Sequence, residues 1–214
     1  MLAVAGPVRV QASGAVPDGT ARWTVGHLSQ ARFINAGTGP VWRTVTVRGT
    51  PLSAPGPAEN GMLLQKSLVT VTGRPVKPAE IVQGQRLIVR IAGQALADRR
   101  ITAVIDDALP AGFEIESVLT PADAQGVGGD NGKPAAGPFA FLGKLTAVSV
   151  QEKRDDRYVA ALRAEGNKTF VVAYVVRAVT PGDFFLPGAV VQDMYRPSVN
   201  ARTAPGRTRI APLP

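Results

Sequence analysis

The stretch Thr169-Phe170-Val171-Val172-Ala173-Tyr174-Val175-Val176-Arg177 constrains this chain more than any other. In an extended backbone successive side chains point to opposite faces. Phe170, Val172, Tyr174 and Val176 then share one face, and Val171, Ala173 and Val175 make the other nearly as apolar. A strand apolar on both faces sits centrally in a sheet and is covered on both sides. No segment sustains a 3.6-residue hydrophobic period over three turns; residues 95–100 offer at most a single turn. The chain also carries 23 glycines and 18 prolines among its 214 residues, a density of turn formers that suits many short strands.

Strand candidates recur at short intervals: 63–72, 86–92, 101–105, 113–119, 139–150, 158–164, 169–179, 189–194 and, at the end, 207–210. Earlier in the chain, 22–25, 31–35 and the alternating run 41–47 read the same way. Between the two groups, residues 50–61 contain three prolines and two glycines. Prolines withhold amide donors and favour an extended chain, so this stretch reads as a linker. Residues 121–138, with Gly126-Val127-Gly128-Gly129-Asp130-Asn131-Gly132, read as a long polar loop. The expected architecture is all-β: an antiparallel β-sandwich over residues 61–214, preceded by a partial β-segment and linker over residues 1–60.

The chemistry is mostly exclusion. The sequence has no cysteine and a single histidine, His27, which removes thiolate chemistry and leaves no second histidine for a metal set. The adjacent acids Asp106-Asp107 and Asp155-Asp156 point to opposite faces of an extended chain and do not converge on one atom, as acid–base work requires. Asp106 and Asp107 precede Ala108-Leu109-Pro110-Ala111-Gly112, where a carboxylate can accept turn amides. The glycine loop at 126–132 has no Lys-Ser/Thr ending and no following helix to cradle phosphate, and it misses the carboxylate spacing of a calcium loop. No serine lies in a Gly-x-Ser-x-Gly setting. Asn167-Lys168-Thr169 reads equally as a glycosylation acceptor or as a turn opening the Thr169 strand.

The net charge of +8 is spread along the chain, with five Lys and Arg against two Asp and Glu up to residue 60, and 19 against 14 beyond it. Aromatic residues are only 6% and do not interleave with basic ones in a nucleic-acid-binding motif, though Arg202, Arg207 and Arg209 could form a small basic strip. No apolar run approaches the roughly 20 residues that span a bilayer. Residues 1–10 lack the basic start and sustained apolar core of a secretion signal, so an exported protein would carry its signal upstream. The residues alone leave a non-enzymatic binding or structural module, with no catalytic group, metal or cofactor expected and no nucleic-acid or membrane contact by this segment.

Three segments go further. Asp106-Asp107-Ala108-Leu109-Pro110-Ala111-Gly112-Phe113-Glu114-Ile115 resembles the turn and strand of bacterial immunoglobulin-like domains. Arg154-Asp155-Asp156-Arg157-Tyr158-Val159-Ala160-Ala161 follows it. Ala173-Tyr174-Val175-Val176-Arg177-Ala178-Val179-Thr180-Pro181-Gly182 then runs on to Asp193-Met194-Tyr195-Arg196-Pro197. In this order and spacing they are similar to the carboxyl-terminal end of the bacterial alpha-2-macroglobulins. The resemblance implies that residues 60–212 form the last macroglobulin-like domain. It also implies that residues 8–57, with Phe33-Ile34-Asn35-Ala36-Gly37 and Pro40-Val41-Trp42-Arg43, are the returning half of a CUB domain.

The family's members are large periplasmic proteins anchored to the inner membrane, which trap attacking proteases through a Cys-Gln thioester. With no cysteine, this chain holds no Cys-x-Glu-Gln motif and cannot trap covalently by itself. The resemblance instead implies a lid. Its partners would be the thioester domain and other macroglobulin domains of the full-length protein and, through that protein, target proteases. Asp193, Met194, Tyr195, Arg196 and Pro197 match the loop that shields the thioester from water, a task suited to a thioether and an aromatic ring. Met194 and Tyr195 would otherwise simply end a strand and pack the sandwich rim. The alternative is a free-standing surface or periplasmic β-sandwich for binding or adhesion.

Overall fold

In the computed structural model the chain divides into two compact units, Met1–Ser53 and Ala54–Pro214. The structure describes residues 54–96, 98, 100–125 and 137–213, together with 2–3, 8–11, 20–21, 32–35, 38, 40 and 44–45. Among the described residues the first unit shows five short strands: β1 (Leu2–Ala3), β2 (Val8–Gln11), β3 (Thr20–Ala21), β4 (Arg32–Asn35) and β5 (Thr44–Val45). β1 pairs antiparallel with β3 and β5, and β2 with β4. The expected strands at 31–35 and 41–47 thus appear in part, whereas 22–25 and His27 lie outside the described residues.

The second unit carries β6 (Ala58–Asn60), β7 (Met62–Thr70), β8 (Ile81–Val82), β9 (Arg86–Ala95), β10 (Ile101–Ala108), β11 (Phe113–Leu119), β12 (Val150–Lys153), β13 (Arg157–Ala164), β14 (Thr169–Ala178), β15 (Gly182–Leu186), β16 (Val190–Asp193), β17 (Arg196–Arg202) and β18 (Gly206–Ala211). They form a six-stranded sheet in the order β12-β13-β10-β16-β17-β6 and a four-stranded sheet in the order β11-β14-β9-β7. A small third sheet, β15-β18-β8, contains a parallel pairing of β18 with β8. The two large sheets are antiparallel throughout, as an antiparallel sandwich requires.

β14 lies inside the four-stranded sheet, between β11 and β9. Its Phe170, Val172, Tyr174 and Val176 enter the main core with Leu87, Val89 and Ile91 of β9 and Ile101, Ala103 and Ile105 of β10. Val171, Ala173 and Val175 face the other way, into a second cluster with Ile88, Leu119, Ala124, Leu142 and Leu145. Both faces are therefore covered, by different parts of the chain. Phe170 lies across the sheet from Gly93, where an added Cβ would come 2.3 Å from the Phe170 ring; the bare glycine lets the ring lie down on β9.

The cover over the second cluster departs from the sequence expectation. Residues 121–125, assigned to a polar loop, begin with a short helix, α1 (Pro121–Gln125), and 139–150 is no continuous strand. A 3-10 turn spans Ala140–Leu142, Gly143 takes a left-handed φ of 75°, and regular pairing starts only at Val150. An extended strand would hide only every second apolar side chain. The irregular path instead buries both Leu142 and Leu145 against β14. It is pinned there by Thr146, whose amide donates to the Val171 carbonyl at 2.8 Å and whose Oγ1 accepts from the Val171 amide at 3.0 Å. Residues 95–100 contain no described helix; Ala95 ends β9 in the core.

Candidate functional site

β16 and β17 are joined by a tight hairpin whose strand-end pair is Asp193 and Arg196, so Met194 and Tyr195 alone form its tip. A register shift between Gln192 and Asp193 turns the end of the hairpin. The Asp193 side chain folds inward and is almost wholly buried. Its Oδ1 accepts the Tyr195 amide at 3.1 Å, and its Oδ2 accepts Arg196 Nε at 3.0 Å and Nη2 at 2.7 Å. This is an Asx-type turn closed by a two-pronged guanidinium contact. The Met194 amide donates to the Thr102 carbonyl at 2.9 Å, tying the tip to β10.

The five residues singled out from sequence thus separate into two groups. Asp193 and Arg196 satisfy each other and hold the turn. Met194 and Tyr195 project from it, 46% and 78% exposed. Tyr195 is the more exposed of the two, while Met194 is about half covered. Pro197 is exposed at the start of β17, where a proline costs no needed ladder donor.

The other candidates resolve differently. Asp106 and Asp107 do point to opposite faces, but Asp107 accepts no turn amide. It is fully buried, its Oδ1 2.6 Å from Lys66 Nζ and its Oδ2 accepting the Tyr174 hydroxyl at 2.7 Å. The Tyr174 ring stacks on Tyr158 with centroids 4.6 Å apart. Burial raises the Asp107 pKa, against the opposing pull of the Lys66 charge. Burial likewise pushes the Tyr158 hydroxyl up to about 12 and raises Tyr174 well above its usual range, with the Asp107 charge adding to the effect.

Asp106 reaches Arg157, which also holds Asp156. Asn167 sits in the turn before β14 at φ 56°, a conformation asparagine tolerates. Arg202 lies on β17, whereas Arg207 and Arg209 lie on β18 in another sheet. The glycine loop at 126–132 lies outside the described residues. Among the described residues no three His, Cys, Asp or Glu side chains gather into a metal site, and no helix is long and apolar enough to cross a membrane.

Residues 61–198 match the family described as the bacterial alpha-2-macroglobulin MG10 domain. The chain belongs to the bacterial alpha-2-macroglobulins. It is 35% identical over 186 residues to the alpha-2-macroglobulin of Xylella fastidiosa strain Temecula1, covering 85% of this chain and 10% of that protein. To the Escherichia coli K12 alpha-2-macroglobulin it is 29% identical over 181 residues, covering 83% and 11%. Among solved structures, native E. coli alpha-2-macroglobulin from domain MG7 to the C-terminus superposes with a TM-score of 0.64 at 27% identity, over 77% of this chain and 25% of that one. A mutant of the Salmonella alpha-2-macroglobulin superposes at 0.69 and 27% identity, over 95% of this chain and 13% of that one. The chain thus spans about a tenth of the length of the curated relatives it matches. In this family the second unit's sandwich is the MG10 domain, and the Met194–Tyr195 hairpin is a feature of that domain.

Proposed function

We propose that this chain is a non-catalytic, carboxyl-terminal portion of a periplasmic, inner-membrane-anchored protease inhibitor. In this reading the MG10 hairpin rests on the thioester domain of the full-length protein and keeps water and small amines from the reactive acyl group. Target proteases are met through the full-length protein, and residues 1–60 supply the returning part of a CUB-like domain. The observation that carries the reading is the division of labour in the hairpin. Its charged residues neutralise each other, while Met194, half exposed, and Tyr195, mostly exposed, form its tip. A thioether and a phenol ring carry no nucleophile competent to attack a thioester at neutral pH, yet together they can exclude water from one.

The test is made in the full-length protein, with Met194→Ala and Tyr195→Ala combined. Methylamine should then consume the thioester faster than in the parent, while the thermal unfolding of the protein stays within a degree or two, as expected for exposed positions. Unchanged methylamine reactivity in a folded double variant would refute the lid.

A further inference from the structure

Lys66 and Asp107 occupy positions that an apolar pattern reserves for core residues. Lys66 lies between the core-facing Leu64 and Leu68 on β7, and Asp107 continues the buried series Ile101, Ala103, Ile105 on β10. The two strands belong to opposite sheets of the sandwich. Nζ and Oδ1 are 2.6 Å apart, with side-chain exposures of 10% and 0%. Tyr174, from the same sheet as Lys66, donates to the other carboxyl oxygen at 2.7 Å, and its ring is held by the stack with Tyr158. The void between Lys66, Leu68, Val89, Leu109, Phe113 and Tyr174 measures about 10 Å³, at the lower limit for one water. A wider cleft, also lined by Lys66, opens beside it past Pro187.

We propose that Lys66 and Asp107 condense into an intramolecular amide that joins the two sheets covalently. The atoms balance without a co-reactant. One ammonium proton passes from Nζ to Oδ1, leaving an amine and a carboxylic acid, the form that a dry interior favours over two separated charges. Nζ then forms a bond to Cγ, and negative charge collects on Oδ2, which already accepts the Tyr174 hydroxyl. A second proton moves from nitrogen to Oδ1, and the Cγ–Oδ1 bond breaks to release water. Nitrogen keeps its third proton as the amide N–H, and Oδ2 becomes the amide carbonyl. Tyr174 acts as a preorganised oxyanion donor and ends with its own proton. Two strands fix both reactants at contact distance, supplying the effective concentration that such a condensation lacks in water. The cleft beside Pro187 lets the released water leave.

The experiment is an intact-mass measurement on the purified, denatured 214-residue chain, followed by protease digestion. The expected result is a mass one water below the sequence value and a branched peptide joining Lys66 to Asp107. Tyr174→Phe, verified as folded by circular dichroism, should form the amide about a hundredfold or more slowly. A chain that keeps its full sequence mass after prolonged incubation overturns the proposal, as does a water loss that maps to any other residue pair. These readings need neither a thioester domain nor a protease, so their outcome is separate from that of the lid test.

Discussion

Tyr158 is the place to test the energetics of the core, because its hydroxyl is buried and weakly held. The residue is 1% exposed, and its only side-chain hydrogen bond among the described residues is a 3.5 Å contact to Gln151 Oε1. Burial raises its pKa from 10.0 to about 12. In the unfolded chain the phenol ionises above pH 10; in the folded chain it keeps its proton until about pH 12. The neutral ring therefore favours folding fully below pH 10, and that contribution is lost as pH climbs through the folded value. Displacing an ionisation by one pH unit is worth about 1.4 kcal/mol, so about 3 kcal/mol should vanish between the two limits, a large part of a domain's net stability.

Tyr158→Phe removes the ionisation and keeps the stack on Tyr174. The assay is urea unfolding of parent and variant below pH 10 and at pH 12, with phenolate absorbance followed in parallel. The parent should lose about 2 kcal/mol more than the variant by pH 12, where the folded phenol is itself half ionised, on top of alkaline losses common to both. Tyr174 is raised in the same sense and contributes equally to both proteins. Equal pH slopes in parent and variant would refute the reasoning, because they would mean that the Tyr158 hydroxyl reaches water in the folded state.

Two further predictions concern the backbone. At Gly188 an added Cβ would lie 2.1 Å from the Thr203 carbonyl oxygen, an atom of the chain rather than the end of a mobile side chain. Gly188→Ala should cost about 1–3 kcal/mol, seen in calorimetry as a fall of at least about 2 °C in melting temperature. Asp193→Ala should cost a similar amount, about 1–3 kcal/mol, because the Tyr195 amide and the Arg196 guanidinium lose a buried acceptor. An unchanged denaturation midpoint would show that the hairpin is held by its strands alone.

The strands with the strongest pattern were legible. β14 declared its central position through two apolar faces, and β9, β10, β11 and β13 through alternation. β17 was not, since Arg196-Pro197-Ser198-Val199-Asn200-Ala201-Arg202 buries only Ala201 fully and carries almost no hydrophobic signal. It forms because β16 and β6 flank it on both sides. The helix α1 did leave a signature. Thr120-Pro121-Ala122-Asp123 is a capping arrangement with proline at the first helical position. In the structure Asp123 Oδ2 accepts both the Thr120 amide and its hydroxyl, which holds the Asp123 pKa below its usual value. The run 139–150 misled because its hydrophobic residues cover a sheet rather than join one. The hairpin residues were found by resemblance, and the inward turn of Asp193 is a tertiary fact that no spacing encodes. The Lys66–Asp107 pair, by contrast, could have been read. Opposite charges at the buried phase of two separate strands have few solutions other than each other.

Covering both faces of the four-stranded sheet restricts how an MG10 domain can meet a neighbour. The six-stranded sheet takes one face and the segment through Leu142 and Leu145 the other, so this sheet has no open face for another body, and exposed surface is found instead at places such as the hairpin tips. Met194 and Tyr195 form such a tip, and their support decides whether it is useful. A long flexible loop would lose much of its interaction energy in becoming ordered on contact. Here the order is already present. Asp193 anchors the turn from inside, and β16 is laddered along β10 from Ala103 to Asp106. The Met194 amide is bonded to Thr102, at the far end of the strand that carries Asp107. β10 thus joins the polar clamp between the sheets to the base of the hairpin. A clamp that fixes β10 against the opposite sheet gives the exposed pair a rigid platform, the property that the proposed lid would require.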